Sequence, residues 1–286
     1  MTIAAVLPTY NRLPALRANL GNILAIAGVD EVLVVDDGSS DGTWAWLSGR
    51  SDMVLRPVRH DTNGGSPAAR NTGVAATRSD WVVFVEDDCR FPGDYAQVLL
   101  AAAQRHDVAI VGAPMVHPGP DGDLVAAVAA ARSAPAGVNG LDGVAGFPDA
   151  PVRTPLLPAP ALVRRDVFED VQFDTGYTGN AYREETDFFL RAEQRGHRCL
   201  LTGDTYFWEP LRYPGGQPRN LAAEWHTLRN NWRFLRRHRD WLVGRGHIRS
   251  PLREQLAFVA RRSLGTSSGG LTPARPAAAG RSGPAS

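Results

Sequence analysis

The stretch WVVFVEDDCRF at residues 81–91 constrains the fold of this chain more than any other. Residues 81–85 are apolar, β-branched or aromatic without interruption. That is the pattern of a strand buried on both faces of a sheet. The run stops in three acids, Glu86, Asp87 and Asp88. A buried strand with this ending delivers its carboxylates to the carboxyl edge of the sheet, where open α/β sheets bind ligands. Carboxylates held so close repel one another unless a cation lies among them. Hard divalent ions such as Mg²⁺ or Mn²⁺ prefer such oxygens and commonly bridge to phosphates. Alone, the pattern also fits a solvated acidic turn, and the rest of the chain decides between the two.

A second stretch repeats it. Residues 31–35 (EVLVV) form another apolar run, ending in Asp36 and Asp37 and followed by GSSDGT. Residues 3–7 read as a short strand broken by Pro8, Thr9, Tyr10, Asn11 and Arg12. Leu13, Leu16, Leu20, Ile23 and Leu24 then recur at helical spacing. A helix starts at residues 43–47, with Asp41 or Ser40 near its cap. Residues 54–59 read as a strand, 60–65 (HDTNGG) as a loop and 66–76 as a helix. The order β-α-β-α-β-α-β predicts a parallel sheet with right-handed crossovers. Parallel strands bring Asp36/Asp37 and Asp87/Asp88 to one edge. With a Gly-rich loop leading to Arg70 on the first turns of a helix, the acid pairs read as a nucleotide site. Arg70 would carry diphosphate charge, and the acids would hold a cation and a ribose or base.

Composition narrows the class. The 286 residues suffice for one large α/β domain or two small ones, and 43% hydrophobic content is ordinary for a chain with a real core. A net charge of +1 implies no nucleic-acid partner. All 31 basic residues are Arg, which with abundant Ala, Gly and Pro reads as the mark of a GC-rich, bacterial genome. Cys89 and Cys199 suggest no disulfide framework and fit a reducing compartment. The start, running straight into IAAVLPTYNR, does not read as a secretory signal, and no apolar run approaches the roughly 20 residues that span a bilayer. These features predict a cytoplasmic protein.

Four motifs, VLPTYNR, VVDDGSSDGT, NGGSPAARNTG and FVEDD, occur in this order. Together they resemble family 2 glycosyltransferases of the GT-A fold, a resemblance that extends over residues 3–210. It implies an α/β fold with a Rossmann-like, mixed but mostly parallel sheet flanked by helices. It also implies a nucleotide-sugar donor (UDP-, GDP- or dTDP-linked) and a divalent metal, Mn²⁺ or Mg²⁺. By position it assigns Pro8 and Thr9 to the donor's base pocket, Tyr10 to donor binding, Asp37 to the base and Arg70 to the phosphates. Glu86-Asp87-Asp88 matches the family's D-x-D motif, with Glu86 and Asp87 on the donor and Asp88 as metal ligand. Glu86 departs from the family's first Asp, which contacts the ribose.

Residues 94–106 read as a helix and 108–112 as a strand. The Gly-, Ala-, Pro- and Asp-rich residues 117–150 read as a flap or a variable acceptor loop. Residues 155–168 resemble the family's acceptor-side strand and turn. The second chemical constellation is YREETDFFLR at 182–191. As a helix it partly buries Phe188, Leu190 and Ala192 and carries acids in its first turn, where the helix dipole alone would favour them. The resemblance maps the catalytic base of inverting members onto Glu185, a Glu where the family usually has Asp. Glu184 and Asp187 are the neighbouring alternatives. Residues 198–201 read as a strand. Beyond it, Trp208 or Glu209 stands where many relatives have a His completing the metal site. Glu209 can serve as an oxygen ligand or as a surface acid.

Residues 212–217 read as a loop closing over the donor. From there, Leu221, Trp225, Leu228, Trp232 and Leu235 form one apolar stripe, and Arg229, Arg233, Arg236, Arg237 and Arg239 form the other face. Residues 212–262 hold 12 Arg against three acids. The stripe either packs on the domain or rests as a basic amphipathic helix on a membrane, a peripheral contact. The expected organisation is a catalytic domain at 1–216, with a nucleotide-sugar half at 1–110 and an acceptor half at 111–216. A basic helical segment at 217–264 and a disordered tail at 265–286 follow. The expected activity is a metal-assisted, inverting transfer of a sugar to an acceptor hydroxyl. A nucleotidyltransferase would want a Gly-rich basic loop after the first strand, and a non-catalytic nucleotide-sugar-binding protein would lack turnover.

Overall fold

The computed structural model describes residues 1–118, 122–134, 137, 138, 141, 144–210 and 220–263. The loop expected at 212–217 and the tail at 265–286 lie outside these residues, as does the boundary at 216. The chain begins β1 (Ile3–Thr9), α1 (Leu13–Leu24), β2 (Glu31–Asp36), α2 (Thr43–Ser48), β3 (Leu55–Arg59), α3 (Ser66–Ala76) and β4 (Trp81–Phe84). It continues with α4 (Tyr95–His106), β5 (Ile110–Gly112), β6 (Met115–Val116), α5 (Leu124–Ser133), β7 (Gly137–Val138), β8 (Val144–Ala145) and β9 (Val152–Arg153). Then come β10 (Ala161–Arg164), α6 (Val167–Asp170), α7 (Glu184–Gln194), β11 (Cys199–Leu201) and β12 (Phe207–Trp208). Three helices close the described chain, α8 (Leu221–Arg237), α9 (Arg239–Gly244) and α10 (Pro251–Ser263).

One eight-stranded sheet runs through both halves in the order β3-β2-β1-β4-β10-β5-β11-β9. β3, β2, β1 and β4 run parallel to one another, as the sequence predicts. β10 inserts antiparallel between β4 and β5, β11 pairs parallel with β5, and β9 closes the edge antiparallel. The sheet is therefore mixed and mostly parallel. β1 lies between β2 and β4, so the order of winding reverses there, the position at which such sheets bind ligands.

Both faces of the sheet are covered, which explains the unbroken apolar runs. Side chains alternate along each strand. Ala5, Leu7 and Val83 pack with Leu16, Leu20, Ile23 and Leu99 of α1 and α4. Val6, Val82 and Phe84 pack on the other side with Val74, Val167, Phe188 and Phe189 of α3, α6 and α7. α3 lies unusually near β1, because a Cβ at Gly73 would stand 2.4 Å from Val6 Cγ1. This close approach holds Arg70, three residues earlier, over the sheet edge.

Local expectations needed two corrections. At the start of α2 the expectation holds: Gly42 precedes the helix in a left-handed conformation, and Asp41 beside it accepts from the Thr43 amide at 3.1 Å and Thr43 Oγ1 at 2.6 Å. Asp41 also accepts from the Leu13 amide at 2.9 Å, tying α2 to α1. In α7, Phe188, Leu190 and Ala192 are fully rather than partly buried, together with Glu184 and Asp187.

The second correction concerns α8. Its buried face is Thr227, Asn230, Asn231, Phe234 and Leu235, whereas Leu221 and Trp225 of the expected packing stripe are exposed. The reason is electrostatic. Arg233 and Arg237 turn inward to Asp174, at 2.7 and 2.6 Å, and Arg237 also reaches Asp187 at 3.0 Å. Asn230 Nδ2 donates to the Thr178 carbonyl at 2.8 Å, and Asn180 Nδ2 to Thr227 Oγ1 at 2.5 Å. Ionic and polar contacts to residues 174–180 thus set the rotation of the helix. Around them Leu141, Tyr177, Leu190, Phe234, Leu235, Leu242 and Ile248 form a third apolar cluster.

Asp187 is the centre of this junction. It accepts from Tyr177 Oη at 3.0 Å and Arg191 Nε at 2.6 Å, and meets His238 Nε2 at 2.9 Å. Burial alone would raise its carboxyl pKa. The His238 hydrogen bond and the Arg191 and Arg237 charges outweigh burial and hold it well below the usual range. A depressed folded value stabilises the fold above the unfolded pKa of about 3.9, and that contribution is lost as pH falls through the folded value. Asp187→Asn should therefore lower stability at neutral pH by about 3 kcal/mol in urea unfolding, with the deficit shrinking on acidification below about pH 4. A deficit that stays constant across the acid range would contradict this account.

Candidate functional site

The register of the parallel strands builds the site. Thr9 pairs with Asp36 and Val6 with Phe84, so the ends of β1, β2 and β4 align. Beyond these ends opens a cleft of about 500 Å³. It is lined by Pro8, Thr9, Tyr10, Asp37, Arg70, Glu86, Asp87 and Asp88, so every donor-side residue expected from the sequence borders it. Asn11, Arg12, Asn63, Gly65, Ser66, Ala69 and the 179–181 segment complete the wall. Its size suits a small-molecule ligand.

The acid triplet divides its partners. Thr9 Oγ1 donates to Asp87 at 2.7 Å, and Arg12 contacts Asp87 at 3.2 Å and Asp88 at 2.7 Å. Asn19 Nδ2 donates to the Asp87 carbonyl at 2.8 Å, which fixes the turn. Burial, with Asp88 nearby, pushes the Asp87 carboxyl up to about 6 against the pull of Arg12 and Thr9. Glu86 is also raised, by burial first and by the crowding of Asp88, Glu185 and Asp87, against the pull of Arg70. Oxygens of Glu86 and Asp88 and the Cys89 sulfur lie within 4.8 Å of one another. Glu209 stands near enough to help raise the Cys89 thiol, after burial, Glu86 and Asp88. Two carboxylates whose crowding raises a pKa are a donor set that a hard divalent cation would relieve.

Asp37 performs a task its sequence position does not reveal. Its two oxygens accept from the amides of Gly64 and Gly65, at 2.9 and 2.8 Å, and Oδ1 meets His60 Nδ1 at 2.7 Å. His60 Nε2 in turn lies 2.9 Å from Thr72 Oγ1. Asp37 thus shapes the glycine loop that enters α3. Gly65 has φ +84°, a conformation that favours glycine.

Arg70 links the two halves of the site. Its guanidinium meets Glu86 at 3.2 Å and Glu185 at 3.4 Å, and makes a short ion pair with Glu184. Its side chain is only 2% exposed, whereas that of Arg12 is 31% exposed. Of the two arginines that line the cleft, the more exposed is therefore Arg12, the last residue of the VLPTYNR motif, to which no role is assigned from the sequence. Glu184 is 3% exposed and Glu185 26%. Burial raises the Glu184 carboxyl, with Glu185 adding to the effect and Arg70 and a Ser66 hydrogen bond opposing it. Gly179, Ala181 and Arg183 all have positive φ, at +68°, +50° and +72°, just before α7. Such conformations cost non-glycine residues about 1–2 kcal/mol each. Gly179 and Ala181 stand in the cleft wall, whereas Glu184 and Glu185 follow just beyond it and do not border the cleft themselves. Asp187, one turn further on, faces α8 and does not line the cleft.

Residues 4–171 match the model of the glycosyl transferase family 2. The match spans more than half of the sequence. This chain belongs to that family. Among curated relatives, the uncharacterized glycosyltransferase EpsJ of Bacillus subtilis is 31% identical over 113 residues, covering 38% of this chain and 33% of the relative. The succinoglycan biosynthesis protein ExoO of Rhizobium meliloti is 34% identical over 87 residues, covering 30% and 25%. The undecaprenyl-phosphate mannosyltransferase of Micrococcus luteus is 30% identical over 115 residues, covering 38% and 47%. The chain thus spans less than half the length of each of these relatives. Among solved structures, residues 1–349 of Staphylococcus aureus TarS in complex with UDP-GlcNAc superpose with a TM-score of 0.62 at 17% identity, covering 82% of this chain and 65% of that one. The same protein with UDP gives 0.56, covering 82% and 72%. The shared architecture is the GT-A type α/β fold.

If Arg70 holds the glutamates as described, Arg70→Met leaves Glu184 buried without its cation. The expected loss is about 3–5 kcal/mol in guanidinium unfolding at neutral pH. Glu184 would then keep its proton in the fold. The variant should lose stability as pH rises above the unfolded carboxyl value of about 4.3, and Arg70→Met/Glu184→Met should recover most of the loss. A single variant as stable as the parent would refute the assignment.

Proposed function

We propose that this chain transfers a sugar from a nucleoside-diphosphate donor to an acceptor hydroxyl with inversion at the anomeric carbon. The observation that carries the reading is the juxtaposition through Arg70. It joins Glu86, in the cleft wall after β4, to Glu184 and Glu185, which open α7 just beyond the 179–181 wall. Family membership supports glycosyl transfer, and the complexes of TarS with UDP-GlcNAc and UDP support a nucleotide-sugar donor, of which UDP-linked sugars are the first to test.

In this reading the donor lies along the ends of β1, β2 and β4. Pro8, Thr9 and Tyr10 border its base, with Asp37 acting there through the loop it holds. Arg12, rather than the buried Arg70, offers positive charge to the diphosphate. Asp88 and Glu86 would hold a Mn²⁺ or Mg²⁺ ion, with Glu209 beside them. Such an ion supplies neutralisation of the leaving diphosphate's charge. Glu185 takes the proton of the acceptor hydroxyl as its oxygen bonds to the anomeric carbon. The bond to the diphosphate oxygen breaks on the opposite face, and the nucleoside diphosphate departs. Of the two adjacent glutamates, Glu185 is the more exposed and Glu184 is held by Arg70, which favours Glu185 as the base.

Glu185→Gln keeps the size of the side chain and removes its charge. Single-turnover sugar transfer at saturating UDP-sugar and Mn²⁺ should slow by about 10²- to 10⁴-fold, with donor affinity nearly unchanged. Glu184→Gln should act mainly on stability. Parental transfer rates in Glu185→Gln, or a larger chemical defect in Glu184→Gln, would move the base elsewhere.

A further inference from the structure

The C-terminal helices leave apolar side chains in solvent. Leu221 is 90% and Trp225 65% exposed on α8, and Leu252 is 60% and Leu256 61% exposed on α10. They belong to one surface. Asn231 Nδ2 donates to Gln255 Oε1 at 2.7 Å, and Arg262 reaches Glu224 at 2.6 Å, so α8 and α10 run antiparallel. In each helix, residues that touch the other helix directly precede members of the outward stripe. Glu224 precedes Trp225, Asn231 precedes the half-buried Trp232, and Gln255 precedes Leu256. One residue is a rotation of about 100° in the same sense on both helices. Antiparallel helices turned in this way present their stripes on the same side, away from Phe234 and Phe258, which point into the protein.

The charge on and beside this platform is mainly positive, with Asp240 of α9 the exposed acid among it. Arg236 and Arg253, exposed beside the stripes, have no acidic partner among the described residues, and neither do Arg239, Arg245 and Arg249. The acids of the two helices are already engaged, Glu224 by Arg262 and Glu254 by Arg261. We propose that the outward face of the α8–α10 pair docks on an anionic lipid membrane. Leu221, Trp225, Leu252 and Leu256 enter the headgroup boundary, and the unpaired arginines meet lipid phosphates. Among the described residues no helix is long and apolar enough to cross a membrane.

Other occupants fit less well. Residues 264–286 bring only Leu264 and Leu271 as large apolar side chains to cover the face. A second copy meeting it about a two-fold axis would set this arginine-rich surface against itself. A lipid surface offers apolar depth and negative charge together. The proposal goes beyond sugar transfer and stands or falls independently of it.

The test is co-sedimentation of the full chain with vesicles containing phosphatidylglycerol, against vesicles of phosphatidylcholine alone. Binding should require the acidic lipid and weaken as salt rises. Arg236→Gln/Arg253→Gln should weaken partitioning by roughly fivefold per arginine. Trp225→Ser/Leu256→Ser should abolish it, and because all four side chains are exposed, both variants should melt as the parent does. The proposal is overturned by no binding to acidic vesicles at low salt, by equal binding to neutral vesicles, or by binding that neither variant alters. A dimer in sedimentation velocity that Trp225→Ser/Leu256→Ser dissociates would assign the face to a second copy instead.

Discussion

The site depends on one buried cation. Arg70 comes from α3, Glu86 from the end of β4, and Glu184 and Glu185 from the start of α7, more than a hundred residues away in sequence. Grouped without a cation, three carboxylates at the edge of a sheet would repel one another and stay hydrated. A guanidinium suits the task because it is planar and presents several donors to partners on different sides. Phe84 and Phe173 flank it at 6.0 and 5.4 Å, which keeps it dry and its ion pairs strong. Gly73 lets α3 approach β1 closely enough to place it there.

The rest of the cleft is held in the same manner, by polar groups that support its walls. Asp37 anchors the glycine loop, and Thr9 and Arg12 hold Asp87. The 179–181 wall is backed by α8, whose Asn230 and Thr227 bond Thr178 and Asn180. α8 in turn is secured to α7 through Asp187. The C-terminal helices therefore buttress the cleft on one side while the outward stripes remain available on the other.

Much of this was legible in the sequence, for a physical reason. A strand buried on both faces leaves a contiguous apolar run, and parallel pairing fixes which strand ends share an edge. The acid pairs at 36–37 and 87–88 can thus be placed together from the sequence alone. Long-range ionic choices were not legible, because they leave no periodic trace. Nothing local shows that Arg12 lies against Asp87 and Asp88, or that Arg70 is enclosed by glutamates. The rotation of α8 is hidden for the same reason. Its apolar spacing suggested one buried stripe, but Asp174 and Asp187 draw Arg233 and Arg237 inward and turn part of that stripe to solvent.

The central claim is that the cleft at the ends of β1, β2 and β4 receives a nucleotide-sugar. Hydrogen exchange of the full chain, with and without a UDP-sugar and Mn²⁺, tests it most directly. Binding there predicts slowed exchange at residues 9–12, 63–66 and 179–181, which wall the cleft from three separate parts of the chain. Protection confined to other segments, or none at donor concentrations that saturate sugar transfer, would contradict it.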